Sequence, residues 1–347
     1  MIKISTSIFV FIMLFFVSNN KNKIESVIQN KIETPNMIWI KGGTFSMGSD
    51  KQSNTNDALP YQFVKVDGYW IDETEVTNAQ FEKFCNETGY VTVAERKINW
   101  EELKKILPPG MPKPSEEDLE PGSLVFAPPI TPVPLDSNTR WWKWCKGANW
   151  KHPFGPESSI KGKENYPVVQ IAFEDAQAYA KWAKKRLPTE AEWEFAARGG
   201  LKQKQYAWGD DLNPNGAFLA NYFQGNFPYN NTNGDGYLFS APVKSFPKNN
   251  YGLYDMIGNV WELCSDFYEV PKFCESCCHS TPVAKNPKGP LKTFDPFDTN
   301  AIKHVIKGGS YLCSIEYCSN FKPSGRQGIS YDSGMSHIGF RCVKSKN

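Results

Sequence analysis

Two cysteines near the end of the chain carry the residue types with the most chemistry to offer. Cys313 and Cys318 lie five positions apart, follow Gly308-Gly309-Ser310, and have Tyr317 directly before the second thiol. A Gly-Gly step admits positive φ and close backbone approach, so it can aim the residues after it. Two neighbouring thiols can close a disulfide, hold a soft ion such as Cu(I), or supply a nucleophile. Zinc fits less well, because a structural zinc site wants four ligands at finger-like spacing. The spacing alone leaves the choice among the first three open.

Oxygen donors gather in two other places. Asn221-Tyr222 with Asn233-Gly234-Asp235-Gly236-Tyr237 offers side-chain and backbone oxygens in a Gly-rich turn, as hard Ca2+ requires. Asp255, Gly258, Val260 and Glu262 form a second set, in which Gly258 and Val260 can give only carbonyls. Asn and Gly equally make plain turns, so residue type leaves this open too. A third cluster, Cys274-Glu275-Ser276-Cys277-Cys278-His279, misses a haem-attachment pattern because Glu275 stands where the first Cys belongs. A disulfide in an exported insertion is expected there. Cys85, Cys145 and Cys264 read as free thiols behaving as small apolar groups.

These groups need elements to position them. Met37 to Ile40 and Gly42 to Gly48 read as strand, turn and strand, and the alternation from Val64 to Ile71 as one further strand. A capped helix is expected from Thr77 to Cys85, with Phe81, Phe84 and Cys85 on one face. A second is expected from Ala172 to Lys185. A third opens at Pro188-Thr189, where Thr189 and Glu192 have capping-box spacing. The Pro- and acid-rich stretch 101–140 reads as a long surface excursion, and 268–300 has little periodicity. No internal repeat or linker divides the body, so one domain is expected over residues 36–345.

The chain has 347 residues, with 39 basic against 37 acidic, and no basic run. That balance argues against nucleic acid or an anionic membrane held by bulk electrostatics. With 14% aromatic residues, 25 Pro and 26 Gly, a loop-rich globule is expected rather than a helical bundle. At the N-terminus, Lys3 precedes a ten-residue apolar run from Ile8 to Val17, the length of a signal-peptide core rather than a membrane span. Residues 1–20 are read as a signal peptide or a retained anchor, and 21–35 as a polar tether. The mature protein is therefore expected outside the cytoplasm, periplasmic or secreted, with membrane contact only where the N-terminal segment is kept.

Across the body, the sequence resembles the formylglycine-generating enzymes, or sulfatase-modifying factors. The resemblance runs through Gly42-Gly43-Thr44-Phe45-Ser46-Met47-Gly48, Glu75-Val76-Thr77-Asn78, Trp141-Trp142 and Gly147-Ala148-Asn149-Trp150. It continues through Arg186-Leu187-Pro188-Thr189-Glu190-Ala191-Glu192-Trp193-Glu194, Gly258-Asn259-Val260-Trp261-Glu262 and Gly339-Phe340-Arg341. The cysteine pair after Gly308-Gly309-Ser310 is its most specific mark. The resemblance implies a mixed α+β, loop-rich, C-type-lectin-like fold in a single domain. It implies an oxidase that uses O2 to convert a cysteine within Cys-x-Pro-x-Arg of unfolded sulfatase polypeptides to formylglycine. Carried over, Cys313 and Cys318 hold Cu(I), where the substrate thiolate joins them and O2 is activated. Ser310, Trp261 and Tyr317 then line the oxygen or substrate pocket. Calcium is implied at Asn221, Tyr222, Asp235 and Tyr237, and again at Asp255, Gly258, Val260 and Glu262, where Asp255 replaces the more usual Asn.

The sequence also departs from the family. Ala180, Ala197 and Pro323 stand where animal-type members have disulfide partners, so Cys342 is expected to lack a mate. Ser319-Asn320-Phe321-Lys322-Pro323 replaces a segment that carries arginines in the best-known members, whereas Arg326 is kept in register. Two other readings compete. Relatives that join sulfur to a histidine derivative use iron and a His-rich partner domain, whereas this sequence has four His and no H-x3-H pair. Exported scaffold or surface-assembly proteins share the fold but generally lack the thiol pair.

Overall fold

Each strand near the start of the body finds a partner far along the sequence or in a different sheet from its neighbour. The computed structural model describes residues 36–49, 58–107, 110–270 and 283–346, and the protein from Ile38 onward forms one compact unit. The apolar N-terminal run and the Cys274–His279 cluster lie outside the described residues. Strands β1 (Met37–Ile40), β2 (Gly43–Met47), β3 (Gln62–Val66) and β4 (Tyr69–Asp72) come first. The alternation from Val64 to Ile71 reads as one strand, but the structure breaks it at Asp67-Gly68. The reason is that its halves serve different sheets: β3 pairs with β2, and β4 with β1.

Helix α1 (Asn78–Thr88) starts where expected. Thr77 Oγ1 accepts from Gln80 N, Gln80 Oε1 accepts from Thr77 N at 2.9 Å, and Gly89 ends the helix at φ +68°. The stretch 101–140 is more ordered than its composition suggests. It contains most of α2 (Trp100–Ile106) and all of β5 (Gly122–Phe126), which pairs with β6 (Trp142–Lys146). Prolines flank these elements and do not interrupt them, which is how Pro-rich sequence accommodates regular structure. Helices α3 (Phe173–Trp182) and α4 (Glu190–Arg198) follow. At α4 the capping box is realised: Thr189 Oγ1 accepts from Glu192 N at 3.2 Å, and Glu192 Oε2 from Thr189 N at 2.9 Å.

The remaining strands are β7 (Gly225–Asn226), β8 (Asn230–Asn231), β9 (Trp261–Phe267), β10 (Ala284–Lys285), β11 (Lys303–Lys307), β12 (Arg326–Ser330), β13 (Ile338–Gly339) and β14 (Val343–Ser345). The sheet that positions the cysteine segment has the order β12-β11-β9-β13, with β13 parallel to β9 and the other pairs antiparallel. β14 completes the sheet of β1 and β4, and β10 joins β3. The architecture is mixed α+β, mostly strands and loops. Among the described residues, no helix is long and apolar enough to cross a membrane.

One buried acid makes stability depend on pH. Asp266 on β9 accepts from Glu190 N, at the start of α4, at 3.0 Å. Burial, then the charge of Glu190, pushes its carboxyl from 3.8 up to about 7. The raised value means that ionising Asp266 costs more in the folded state. Its contribution to stability therefore falls as pH rises from about 4 to about 7 and then levels off. Asp266→Asn keeps an acceptor and removes that loss. Its melting temperature relative to the parent is expected to climb between pH 4 and pH 7, and a constant difference would refute the assignment.

Candidate functional site

β11 leads directly into Gly308 (φ +93°) and Gly309 (φ +73°). A Cβ on Gly309 would stand 2.8 Å from the backbone of Phe321, and one on Gly308 would stand 2.9 Å from the Trp193 ring. Both demands that the sequence suggests, positive φ and close approach, are therefore real. Gly309→Ala is expected to cost about 1–3 kcal/mol from backbone strain alone, with the clash added. A melting temperature equal to the parent's would contradict this.

Beyond the turn, backbone bonds pin the segment. Tyr311 N donates to Asn259 O at 2.9 Å, Phe223 N to Cys313 O at 3.0 Å, and Gly258 N to Gly308 O at 2.9 Å. A single helix-like turn, Cys318 N to Ser314 O at 3.2 Å, then brings the second cysteine back over the first. The two side chains lie within hydrogen-bonding reach of each other, and both are free thiols. Cys313 is buried and Cys318 partly exposed. Burial, followed by the neighbouring Cys318, pushes the Cys313 thiol well above its usual range, and Ser310 opposes this. Gln327 Nε2 donates to Cys318 Sγ at 3.7 Å.

Both cysteines line a cavity of about 190 Å3, whose walls also include Ser310, Trp261, Tyr317, Trp141 and His337. Cys313, Cys318, Ser310, Trp261 and Tyr317, the five singled out from the sequence for the thiol site, thus meet at one place. Tyr317, 41% exposed, stacks on Phe227 with centroids 4.8 Å apart and meets the edge of Trp141 at 5.2 Å. Trp261 is buried, and the β9–β13 pairing holds it in place. Sequence reasoning missed Gln327 and His337. Among the described residues, no group of three or more His, Cys, Asp and Glu converges as a metal site. The thiols form a two-sulfur donor set, which suits Cu(I) and falls short of zinc's four ligands.

The oxygen donors are placed as follows. Asp235 accepts from Tyr237 N at 2.9 Å, Tyr222 N at 3.3 Å and Gln224 Nε2 at 2.8 Å, and burial raises its pKa. The Gln224 amide also contacts Tyr222 O. A partially positive group therefore lies against both a carbonyl and a carboxylate, and the site chemistry fits a hard cation. Asn221 donates through Nδ2 to Phe239 O at 2.9 Å, and its backbone oxygen receives Asn259 N at 2.8 Å.

In the second set, Asp255 accepts from Lys244 N at 2.8 Å, and burial pushes its carboxyl up to about 6. Glu75, which the sequence did not suggest, lies within hydrogen-bonding reach of Asp255 and has an enclosed Oε2 with no partner. An orphaned carboxylate oxygen beside a second acid fits a cation. Glu262 engages both carboxylate oxygens with Arg341 at 2.7 Å, and one of them also accepts from Trp193. Gly258 packs so closely that a Cβ there would lie 2.2 Å from Asn221 O, which makes the two oxygen sets neighbours.

Arg326 is buried and pairs with both oxygens of Glu190 at 2.8 and 3.1 Å. It braces the core. Cys342 is a buried free thiol, as its missing partners imply, and Cys85 and Cys264 are likewise buried and free. Cys145 is free but only partly buried, because it sits on β6 in a two-stranded hairpin at the surface.

Comparison with known proteins shows the family. Residues 23–346 match the sulfatase-modifying factor enzyme 1-like domain. The sequence is 43% identical over 312 residues to the formylglycine-generating enzyme of Mycobacterium tuberculosis, covering 88% of this protein and 97% of that one. It is 42% identical to the Mus musculus enzyme of the same name, covering 88% and 74%. A Bos taurus protein named inactive C-alpha-formylglycine-generating enzyme 2 is 33% identical over 90% of this protein and 88% of its own length. Among solved structures, PvdO from Pseudomonas aeruginosa superposes with a TM-score of 0.56 at 20% identity, covering 90% of this protein and 95% of that one, which speaks for the fold.

Proposed function

Because the chain belongs to the sulfatase-modifying factor enzyme 1-like family, we propose that it matures sulfatases by converting a cysteine in Cys-x-Pro-x-Arg to formylglycine. The observation that carries this reading is the free thiol pair opening into an aromatic cavity. In this reading the frame is the C-type-lectin-like arrangement of the family, and the protein meets unfolded sulfatases after export.

The reaction replaces the carbon–sulfur bond of the substrate cysteine with a carbonyl. In net terms the substrate thiol, O2 and two electrons with two protons from an external thiol reductant give the aldehyde, sulfide and one water. Cu(I), held by Cys313 and Cys318, supplies the redox chemistry that acid–base side chains lack. The protein's own groups do the rest. Cys313 is buried and Cys318 is partly exposed, so the incoming thiol approaches from the Cys318 side. Gln327 Nε2 donates to Cys318 Sγ and steadies negative charge there. Tyr317, held between Phe227 and Trp141, and buried Trp261 wall the cavity with aromatic rings, so that water is screened from the buried Cys313 while Cys318 stays reachable. Ser310 Oγ accepts from Leu312 N at 3.2 Å and works against the raised Cys313 pKa, which favours loss of the thiol proton on binding.

The deciding experiment is mass spectrometry of a Cys-x-Pro-x-Arg peptide incubated in air with the protein, copper and a thiol reductant. Loss of the thiol mass with gain of an aldehyde-reactive product is expected. An unchanged peptide, beside copper-loaded protein, would favour the non-catalytic scaffold reading.

Calcium completes the reading, at Asn221, Tyr222, Asp235 and Tyr237 and at Asp255, Gly258, Val260 and Glu262, with Glu75 beside the latter. A cation that binds only the folded state at a hundredfold excess over Kd adds about 2.7 kcal/mol. Excess EGTA is therefore expected to lower the melting temperature by several degrees, and no change would remove the calcium assignment.

A further inference from the structure

His337 lies on the cavity wall, and the reaction above leaves its role open. It immediately precedes β13, and its backbone oxygen receives Trp261 N at 2.9 Å, so the pairing that sets Trp261 sets His337 as well. Its ring packs on Trp142, with centroids 4.7 Å apart and planes at 44°. Nδ1 is enclosed and has no hydrogen-bond partner. Buried polar atoms are nearly always paired, and a ring that lines a cavity can gain a partner from whatever enters it. Burial pushes the imidazole down to about 3. The ring is therefore neutral at ordinary pH and presents one N–H donor and one bare nitrogen acceptor.

Among groups that could enter beside the thiols, a peptide unit offers the matching acceptor and donor. The neighbouring walls are aromatic, with Trp141, Trp142 and Phe227, and suit an extended polypeptide lying across them. A hydrogen bond to the backbone also holds any sequence, which fits a site that must accept varied unfolded polypeptides.

We propose that His337 hydrogen-bonds the backbone of the incoming polypeptide next to its reactive cysteine. The proposal rests on the peptide-substrate reading above. It makes His337 a substrate-binding residue distinct from the metal-holding thiols.

The test is direct binding of a labelled Ser-x-Pro-x-Arg peptide, which cannot react, to the full-length protein by fluorescence anisotropy. His337→Phe keeps the packing on Trp142 and removes both nitrogens, and His337→Gln restores a donor and an acceptor. Binding to the Phe variant is expected to weaken roughly 10-fold, the worth of one good hydrogen bond, with most of it recovered in Gln. Cu(I) stoichiometry should be the same in all three proteins. In the parent, the 15N resonances of the His337 ring should move on adding peptide. Equal affinity of parent and Phe variant, or unmoved ring resonances in the peptide complex, would overturn the proposal while leaving the peptide reading intact. If the parent fails to bind the peptide, the peptide reading falls first and the role of His337 with it. If the Phe variant does not fold, the Gln variant and the ring resonances decide.

Discussion

Cys318→Ser is expected to lose stoichiometric Cu(I) binding and to reduce peptide conversion by at least about 10^3-fold, the scale on which removal of a central catalytic group acts. The melting temperature should barely move, because Cys318 is partly exposed and its contact from Gln327 is long, at 3.7 Å. Cys313→Ser should lose metal and activity to the same extent. It should also cost about 1 kcal/mol or more, because a hydroxyl replaces a thiol at a buried position. The two effects should not add in the double variant, because either substitution already dismantles a two-sulfur donor set. Metal content, thiol counting and conversion on the same preparations check this. Full copper occupancy in either single variant would end the two-thiol centre. A parent whose thiols form a disulfide resistant to mild reductant would point to a brace instead.

The cysteine pair was legible because its signal is local. Two glycines, a serine and a five-residue spacing define one turn, and the structure closes that turn with Gly309 at φ +73° and Cys318 N on Ser314 O. Thr77 and Thr189 were legible as caps for the same reason, since the whole box lies within four residues. The misreadings came where partners are remote. Nothing near Asp67 says that β3 and β4 belong to different sheets, because β2, β1 and β14 decide it. The order within 101–140 depends on β6, which begins only at Trp142. Gln327 and His337 reach the cavity through the pairing of β12 with β11 and of β13 with β9, which no pattern around either residue announces. Arg326 is a further case of a remote partner: its place in the family register is legible, but Glu190, 136 positions earlier, takes its guanidinium.

Arg341→Met is expected to be the most destabilising of these changes, at about 3–5 kcal/mol, the cost of stripping one partner from a buried ion pair. Arg341 and Glu262 are both almost wholly enclosed. The guanidinium donates through Nε and Nη2 to the two oxygens of Glu262 at 2.7 Å, and also reaches Tyr254 O at 2.9 Å and Asp72 O at 3.3 Å. Without it, Glu262 keeps the Trp193 N–H, and the neighbouring acids Glu75 and Asp255 lose their compensating positive charge. Met fills much of the volume, so the loss measures charge more than a cavity. Thermal melts should fall by roughly 5–15 °C. The double variant Arg341→Met with Glu262→Gln should recover part of this, because the stranded charge is then gone. If the double variant is as unstable as the sum of the singles, packing and the lost carbonyl contacts carry the effect instead. Arg341 joins β9, which carries Trp261, to the backbone around Asp72 and Tyr254. The single variant should therefore lose peptide conversion while its thiols still bind Cu(I).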